Sequence, residues 1–337
     1  MKANNYSIAL IIPHADAYHD LNNLLQSMKL WTKQADEVIV VDSSQKPRNL
    51  PDDFKKFCLS KKIHLTHLQY DELIYPGHAR NIGINASQSN LIAFLDAKTV
   101  PTENWLSTYF KIIKNSSNDG IWGKTVYECS DKKQKIIRAA TYGKLPLNTL
   151  PGSLIKKQCF LKAGLFIESV RAGEDGDWFN RAYLHEMNFE DHENEENLTY
   201  KLSSDVTYTK IILKWFRNNS FASRLPYLKP HKDIYFYLTS ILAVLIAYNW
   251  NNLFAAWDQN SFLYIPNITK ITASLIFTGY YFVRSLIIPL QKGLKIKELL
   301  PFSHFYIFIL SITLDFIKMV AFLSSAFTMI LKKLKIK

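Results

Sequence analysis

The chain has 337 residues, room for two domains or for one domain with an appendage. Its 48% apolar and 21% charged residues exclude a disordered or collagen-like chain. Three scattered cysteines, Cys58, Cys129 and Cys159, exclude a disulfide framework, lack metal-ligand spacing and suit a reducing compartment. The net charge of +12 is lopsided: residues 1–199 hold 24 Lys+Arg against 24 Asp+Glu, whereas residues 200–337 hold 17 against 5. Such a skew also occurs in nucleic-acid binders. Here the cations stand beside long apolar runs, which points to membrane lipids as the partner and to no nucleic acid.

In chain order, Met1–Tyr6 is polar and Ile8–Ile12 is too short for a secretory signal. Ser7–Pro13 reads instead as a buried strand ended by a proline. Leu21, Leu24, Leu25, Met28 and Trp31 fall at helical spacing, with Asp20 as the predicted cap. Glu37–Val41 is an apolar run after one charge, closed by Asp42-Ser43-Ser44, the pattern of a central parallel strand and its polar loop. Asp52–Ser60 reads as helix and Ile63–Leu68 as strand. Gly77–Ser87 reads as helix, and Leu91–Leu95 as a strand closed by Asp96. This alternation predicts an α/β fold with a doubly wound parallel sheet, whose ligand lies at the carboxyl ends of the strands. Asp42 and Asp96 both stand at such ends and nominate a nucleotide-type pocket. No Gly-rich phosphate loop, GxGxxG or GxxxxGK[ST], is present.

Gly120–Glu128 is strand-like, Leu150–Ser153 reads as a Pro/Gly turn, and Cys159–Phe166 is apolar. An amphipathic helix follows Gly173-Glu174-Asp175-Gly176-Asp177-Trp178, and Glu186–Glu196 reads as a solvated acidic loop. From Ile234 the character changes. Ile234–Trp250, extendable toward Trp257, Ile271–Leu290 and Phe305–Leu331 are apolar runs, and a spanning helix needs about 20 such residues. Tyr235, Tyr237, Trp250 and Trp257 are placed for an interfacial aromatic belt. A soluble three-helix bundle fits less well, because these runs lack a polar stripe.

Five segments now stand in order: Ile8–Pro13, Val38–Ser44, Gly77–Ile84, Leu91–Thr99 and Gly173–Arg181. Together they resemble the family 2 glycosyltransferases of the GT-A fold. Gly77-His78-Ala79-Arg80-Asn81-Ile82-Gly83 resembles that family's ARN-x-G helix start. Phe94-Leu95-Asp96-Ala97 resembles its FLDAD metal and diphosphate motif, and Glu174-Asp175 with Trp178 and Arg181 its ED-x-x-[LW]-x-x-R segment. The resemblance covers about 180 residues, and the C-terminal runs resemble the membrane anchor of many members.

The resemblance implies a GT-A (Rossmann-like) domain over residues 1–225. Residues 226–337 would be a juxtamembrane segment and two or three membrane helices, at about 234–257, 271–290 and 305–331. It implies a nucleotide-sugar donor bound by Pro13, Asp42, Arg80, Asp96, Lys98 and Arg217, with His14 a bystander in the base pocket. Asp175 is implied as the catalytic base beside Glu174, and the acceptor as a lipid-linked or surface glycan. Each role has a plainer competitor: Asp42 as a turn cap, Arg80 as a surface ion pair, the acids as helix-start residues, Arg217 and Arg224 as a juxtamembrane basic patch.

One departure matters. The family motif ends in a second acid that holds a divalent metal, Mn2+ or Mg2+, and this chain has Lys98 there. A later family His has no counterpart either: in a loose alignment Tyr208 stands in Val206–Thr209. Either Asp96 alone holds the metal, or Lys98 replaces it by neutralising the leaving phosphate directly, or the site is degenerate. A polyprenyl-phosphate sugar synthase and a non-catalytic membrane scaffold remain alternative functions.

Lys229, Lys232, Lys292, Lys295 and Lys297 place the N-terminal domain and the Lys292 loop in the cytoplasm, at the inner or plasma membrane. A third span would expose Lys332, Lys333, Lys335 and Lys337 outside, against the same rule. Asp315 and Lys318, spaced to pair, make that helix costly to bury.

Overall fold

The computed structural model describes residues 6–72, 74–190, 198–201, 206–228 and 232–335. The chain opens with β1 (Ile8–His14), α1 (Tyr18–Met28), β2 (Glu37–Asp42), α2 (Asp52–Ser60), β3 (His64–Gln69), α3 (Pro76–Ala86) and β4 (Leu91–Phe94). β1, β2 and β4 are almost wholly buried, as their unbroken apolar runs require when helices cover both faces of a sheet. There follow β5 (Thr99–Pro101), α4 (Trp105–Asn115), β6 (Gly120–Glu128), α5 (Lys132–Ala140), β7 (Leu147–Lys156), α6 (Gln158–Lys162) and α7 (Glu174–Leu184). Two short strands, β8 (Phe189–Glu190) and β9 (Leu198–Lys201), complete the sheet.

Among the described residues the sheet has nine strands, with β8 paired to β6 beside the order β3-β2-β1-β4-β7-β6-β9-β5. The parallel expectation holds for β3, β2, β1 and β4 and fails at β7, which runs antiparallel to β4 and to β6, and at β5, antiparallel to β9; β6 pairs parallel with β8 and β9. Crossover helices enforce parallel pairing only in the first half. The predicted turn at Leu150–Ser153 is also corrected. It lies inside β7 as an irregularity, with Gly123 opposite Thr149 but Ile121 already opposite Leu154. Asp20 is not the cap of α1: Ala17 precedes the helix and Asp20 stands in its first turn.

One face of the sheet is covered by α1, α2 and α4 through Leu24, Leu25, Met28, Phe54, Trp105 and Tyr109. The other is covered by α3, α6 and α7 through Ala79, Ile84, Phe160, Trp178 and Phe179. The register Pro13↔Val41, His14↔Asp42 and Ile11↔Phe94 brings the carboxyl ends of β1, β2 and β4 to one edge. These elements, without α5, belong to the first of two compact units: Met1–Cys129, Leu145–Asp205 and Arg224–Leu228.

The second unit comprises Ser130–Lys144, Val206–Ser223 and Lys229–Lys337, so two segments that precede residue 225 pack with the C-terminal helices. It contains α5, α8 (Tyr208–Ala222), α9 (Lys232–Ala255) and α10 (Ile268–Phe282). A π-helical turn (Val283–Ile287) leads into α11 (Ile288–Gln291), α12 (Ile296–Leu299) and α13 (Ser303–Lys335). Ile136, Ile137 and Ala140 of α5 and Ile211 of α8 are buried with Ile307, Leu310 and Leu314 of α13. Farther along, Ser325 Oγ donates to the Ser220 carbonyl, so α8 accompanies α13 for much of its length.

Among the described residues, three helices are long and apolar enough to cross a membrane: Ile234–Ala255, Ile268–Gln291 and Ser303–Ser325. The pairing predicted for Asp315 and Lys318 is present at 3.1 Å, and Arg284 joins it at 2.7 Å. Tyr280 Oη donates to Asp315 (2.7 Å) and lies 3.0 Å from Tyr237 Oη. Tyr237 thus stands at the end of a polar chain that leads to Asp315.

Candidate active site

Gly77 begins the construction of the site. A Cβ there would lie 2.6 Å from the Ile167 carbonyl, so only glycine lets α3 approach the loop before α7 this closely. Asn81 locks the approach: its side-chain amide donates to the Phe166 carbonyl and to Glu168, and its oxygen accepts from the Phe166 N–H, all at 2.9 Å. Gly173, at φ 90°, then turns the chain into α7.

Arg80 consequently reaches two acids from two other elements. Its Nη1 donates to Glu174 Oε1 at 2.7 Å and its Nη2 to Asp96 Oδ1 at 3.1 Å. Arg80 and Glu174 are buried, whereas the Asp96 side chain is 45% exposed. Burial opposes the charge on Arg80, but Asp96, Glu174 and Asp175 more than offset it and hold the guanidinium above its ordinary pKa. Burial pushes the Glu174 carboxyl up, Arg80 pulls it back, and Asp175 adds to the rise. The three resembling motifs therefore meet at one guanidinium.

A cleft of about 210 Å³ opens beside it at the carboxyl ends of β1, β2 and β4. Pro13, His14, Ser43, Arg80, Asp96 and Lys98 line it. Of the donor-binding residues expected from the sequence, Pro13, Arg80, Asp96 and Lys98 are thus brought together. Asp42 stands behind the wall with its side chain fully buried. Its Oδ1 accepts from the Ser44 N–H (2.9 Å) and its Oδ2 from Tyr18 Oη (3.0 Å). His14 and His67 approach it at 3.8 and 3.7 Å. Burial pushes Asp42 up, but hydrogen bonds from Ser44 and Tyr18 and the nearby His14 leave it below the usual carboxylate range. Burial lowers both histidines despite Asp42. Tyr18 and His67 were not legible in the sequence, since their contacts depend on how α1 and three strands are assembled.

Asp175 is half-buried at the start of α7 and accepts from the Gly176 N–H at 2.8 Å. Both of its acidic neighbours are paired with cations. Glu174 pairs with Arg80, and Asp177 with Arg181 at 2.9 Å. Trp178 and Arg181, the rest of that segment, hold the preceding loop: Trp178 Nε1 donates to the Gly164 carbonyl and Arg181 Nη2 to that of Leu165, both at 2.8 Å. Arg217 lies on α8 in the second unit, 3.3 Å from Asn218 Oδ1. Residues 191–196 of the predicted acidic loop lie outside the described residues. Cys58 and Cys159 are buried, and burial pushes their thiols up to about 11 and about 12, away from the thiolate form.

The residues do not fit a metal held by the protein. Asp96 is the one carboxylate lining the cleft among the described residues, its Oδ1 is engaged by Arg80, and Lys98 shares the wall. No three His, Cys, Asp or Glu side chains among the described residues cluster with ligating geometry.

Residues 9–174 match the family model "Glycosyl transferase family 2". An uncharacterized glycosyltransferase of Rickettsia bellii is 26% identical over 183 residues, covering 50% of this chain and 25% of that protein. This chain thus aligns with only about a quarter of the Rickettsia protein's own length. A second uncharacterized glycosyltransferase, from Haemophilus influenzae, is 22% identical over 236 residues, covering 63% of this chain and 76% of the relative. Among solved structures, a mannosyltransferase of Pyrobaculum calidifontis in complex with GDP-Man and Mn2+ superposes with a TM-score of 0.54 at 13% identity. The superposition covers 95% of this chain and 88% of that one, a likeness of fold alone.

Proposed function

We propose that this chain, whose residues 9–174 match the family 2 glycosyltransferase model and whose fold is like GT-A, carries out an inverting transfer at a membrane, from a nucleotide-sugar donor to a lipid-linked or surface-glycan acceptor. The observation that carries this reading is the Arg80 guanidinium, which joins Asp96 and Glu174 at the edge of the cleft. The GDP-Man of the Pyrobaculum structure supports the donor class.

The groove floored by Pro13 and Ser43 receives the nucleoside, with Asp42 as a positioning residue that fixes the Ser43–Ser44 turn through hydrogen bonds. Arg80 and Lys98 face the diphosphate, and Glu174 positions Arg80. The acceptor oxygen attacks the anomeric carbon while Asp175 takes the hydroxyl proton. The bond from that carbon to the diphosphate oxygen breaks, and the nucleoside diphosphate leaves with the electron pair. Negative charge grows on the diphosphate in a cleft where fixed cations act more strongly than in water, so Arg80 and Lys98 stabilise the transition state.

For the anchor, α9 and α10 cross the bilayer as a hairpin and α13 lies along its cytoplasmic surface. If α13 crossed, α8 would be drawn into hydrocarbon with Lys210, Lys214 and Arg217, because it packs along α13 as far as Ser325. The surface position also keeps the tail lysines on the cytoplasmic side. A reporter fused to the C-terminus that is active only outside the cytoplasm is expected to stay silent, and an active one overturns this topology.

The function is tested by thermal stabilisation of the detergent-solubilised full-length protein with UDP-, GDP-, CMP- and dTDP-sugars. One class should stabilise wild type and fail to stabilise Arg80→Met. No stabilisation by any of them removes the donor assignment.

A further inference from the structure

Residues 130–144 are an excursion. The chain leaves the first unit after Cys129 and returns at Leu145, and in between it builds α5 into the second unit. The apolar side of α5 is spent on packing, with Ile136, Ile137 and Ala140 buried against α13. Its other side is cationic. Lys132, Lys135 and Arg138, three residues apart, line a cavity of about 230 Å³ whose remaining wall comes from Leu294, Glu298 and the first turns of α13. Its floor is apolar, since Ile136, Leu294 and Ile307 are all buried. Within 130–144 and 292–298 there are eight Lys or Arg and two acids, Asp131 and Glu298.

The two acids are already occupied. Asp131 caps α5, accepting from the Gln134 N–H at 2.7 Å. Glu298 accepts from the Lys295 N–H at 2.8 Å and lies 3.7 Å from Lys144. The surroundings are those of a bilayer surface. Beside the cavity, Leu300, Phe302, Phe305, Tyr306 and Ile309 are exposed, Phe302 at 71%, at the start of an apolar helix. Exposed large apolar side chains next to a cationic hollow match the two ends of an amphiphile, chains on one side and an anionic headgroup on the other.

We propose that this cavity binds the phosphate of a membrane lipid with a net negative headgroup, with Lys132, Lys135 and Arg138 facing the phosphate and the lipid chains running over the exposed apolar residues of α13. The site depends on neither the donor nor the transfer chemistry, so it stands or falls separately from the catalytic reading.

The test uses full-length protein in neutral detergent and measures binding of phosphatidylglycerol, phosphatidylcholine and inorganic phosphate. It compares wild type with Lys132→Gln/Lys135→Gln and with Lys111→Gln/Lys114→Gln, a pair with the same charge change on α4 of the first unit. At about 1 kcal/mol per cation near an anionic lipid surface, loss of both lysines should weaken phosphatidylglycerol binding by about 30-fold, and the α4 pair should leave it within about threefold. The thermal unfolding temperature in the same detergent, unchanged in both variants, serves as the folding control. Lys132→Arg/Lys135→Arg should retain lipid binding and covers the case in which the glutamine variant does not fold. Equal loss in both glutamine pairs, equal affinity for phosphatidylcholine, or competition by inorganic phosphate at the concentration of lipid would each overturn the assignment.

Discussion

Each unit of this protein buries a small cluster of charge, and the two clusters are composed in opposite ways. In the sheet unit one cation, Arg80, serves two carboxylates, Asp96 and Glu174. In the helical unit one carboxylate, Asp315, serves two cations, Arg284 and Lys318, with Tyr280 donating to it as well. The first cluster opens onto a cleft through the half-exposed Asp96, and a second cation, Lys98, waits on the same wall. Asp315 in the second cluster is sealed. Buried ion pairs contribute little net stability against apolar packing of equal volume, but they make geometry specific. The difference teaches what each geometry is for. The open cluster leaves charge accessible at the cleft, and the sealed one ties α13 to α10 and the π-helical turn that follows it.

The comparison can be broken from either end. The largest effect is expected at Asp175. Asp175→Asn should lower transfer by about 10²–10⁴-fold, since a general base is lost. Donor binding should persist, because Asp175 does not line the cleft. Steady-state transfer rates and donor titration check both, and near-normal turnover would remove Asp175 as the base. Next come the clusters themselves. Arg80→Met and Asp315→Asn should each destabilise by about 3–5 kcal/mol, read from denaturant unfolding in detergent, because the first strands the buried Glu174 and the second strands Arg284 and Lys318. Only Arg80→Met should abolish donor binding. If Asp315→Asn abolishes it equally, the division into a presenting and a sealed cluster is wrong. Arg80→Lys sharpens the point: it keeps the charge but not the fork that reaches two acids, so stability should recover more than binding.

The smallest effect concerns pH. His14 and His67 are held below their ordinary pKa of 6.5 by burial. The unfolded chain therefore binds more protons below pH 6.5, so their contribution to stability is complete above that value and is lost as pH falls toward their folded pKa values. Asp42, held low, loses its own contribution only below about pH 3.8. Between pH 7 and 5 the histidines should set the slope. His67→Gln should flatten the dependence of Tm on pH in that window, and an unchanged slope would contradict the assignment.

Much of the sheet unit was legible because its physics is local. Buried parallel strands read as unbroken apolar runs, and the Asp at each strand end marks the functional edge, as at Asp42 and Asp96. What remained hidden depends on contacts between distant segments. Asp42 looks like a ligand residue in sequence, and no spacing announces that its side chain is buried with Tyr18 and Ser44 each donating to one of its oxygens. Arg80 looks like a phosphate binder or a surface ion pair, and no spacing announces that it joins acids 16 and 94 residues away. The antiparallel placement of β7 between β4 and β6 escaped because alternation of helix and strand does not encode direction once the crossovers become irregular. The excursion of α5 escaped because an amphipathic helix does not say which unit its apolar side will meet.

The central claim is that Arg80 and Lys98 together meet the diphosphate charge. The most direct measurement is transfer, and donor binding by titration, with and without EDTA, for wild type and Lys98→Ala. Activity that survives chelation and falls by two orders of magnitude or more in Lys98→Ala is the predicted result. Wild-type activity that vanishes in EDTA and returns with Mn2+ or Mg2+ would contradict it.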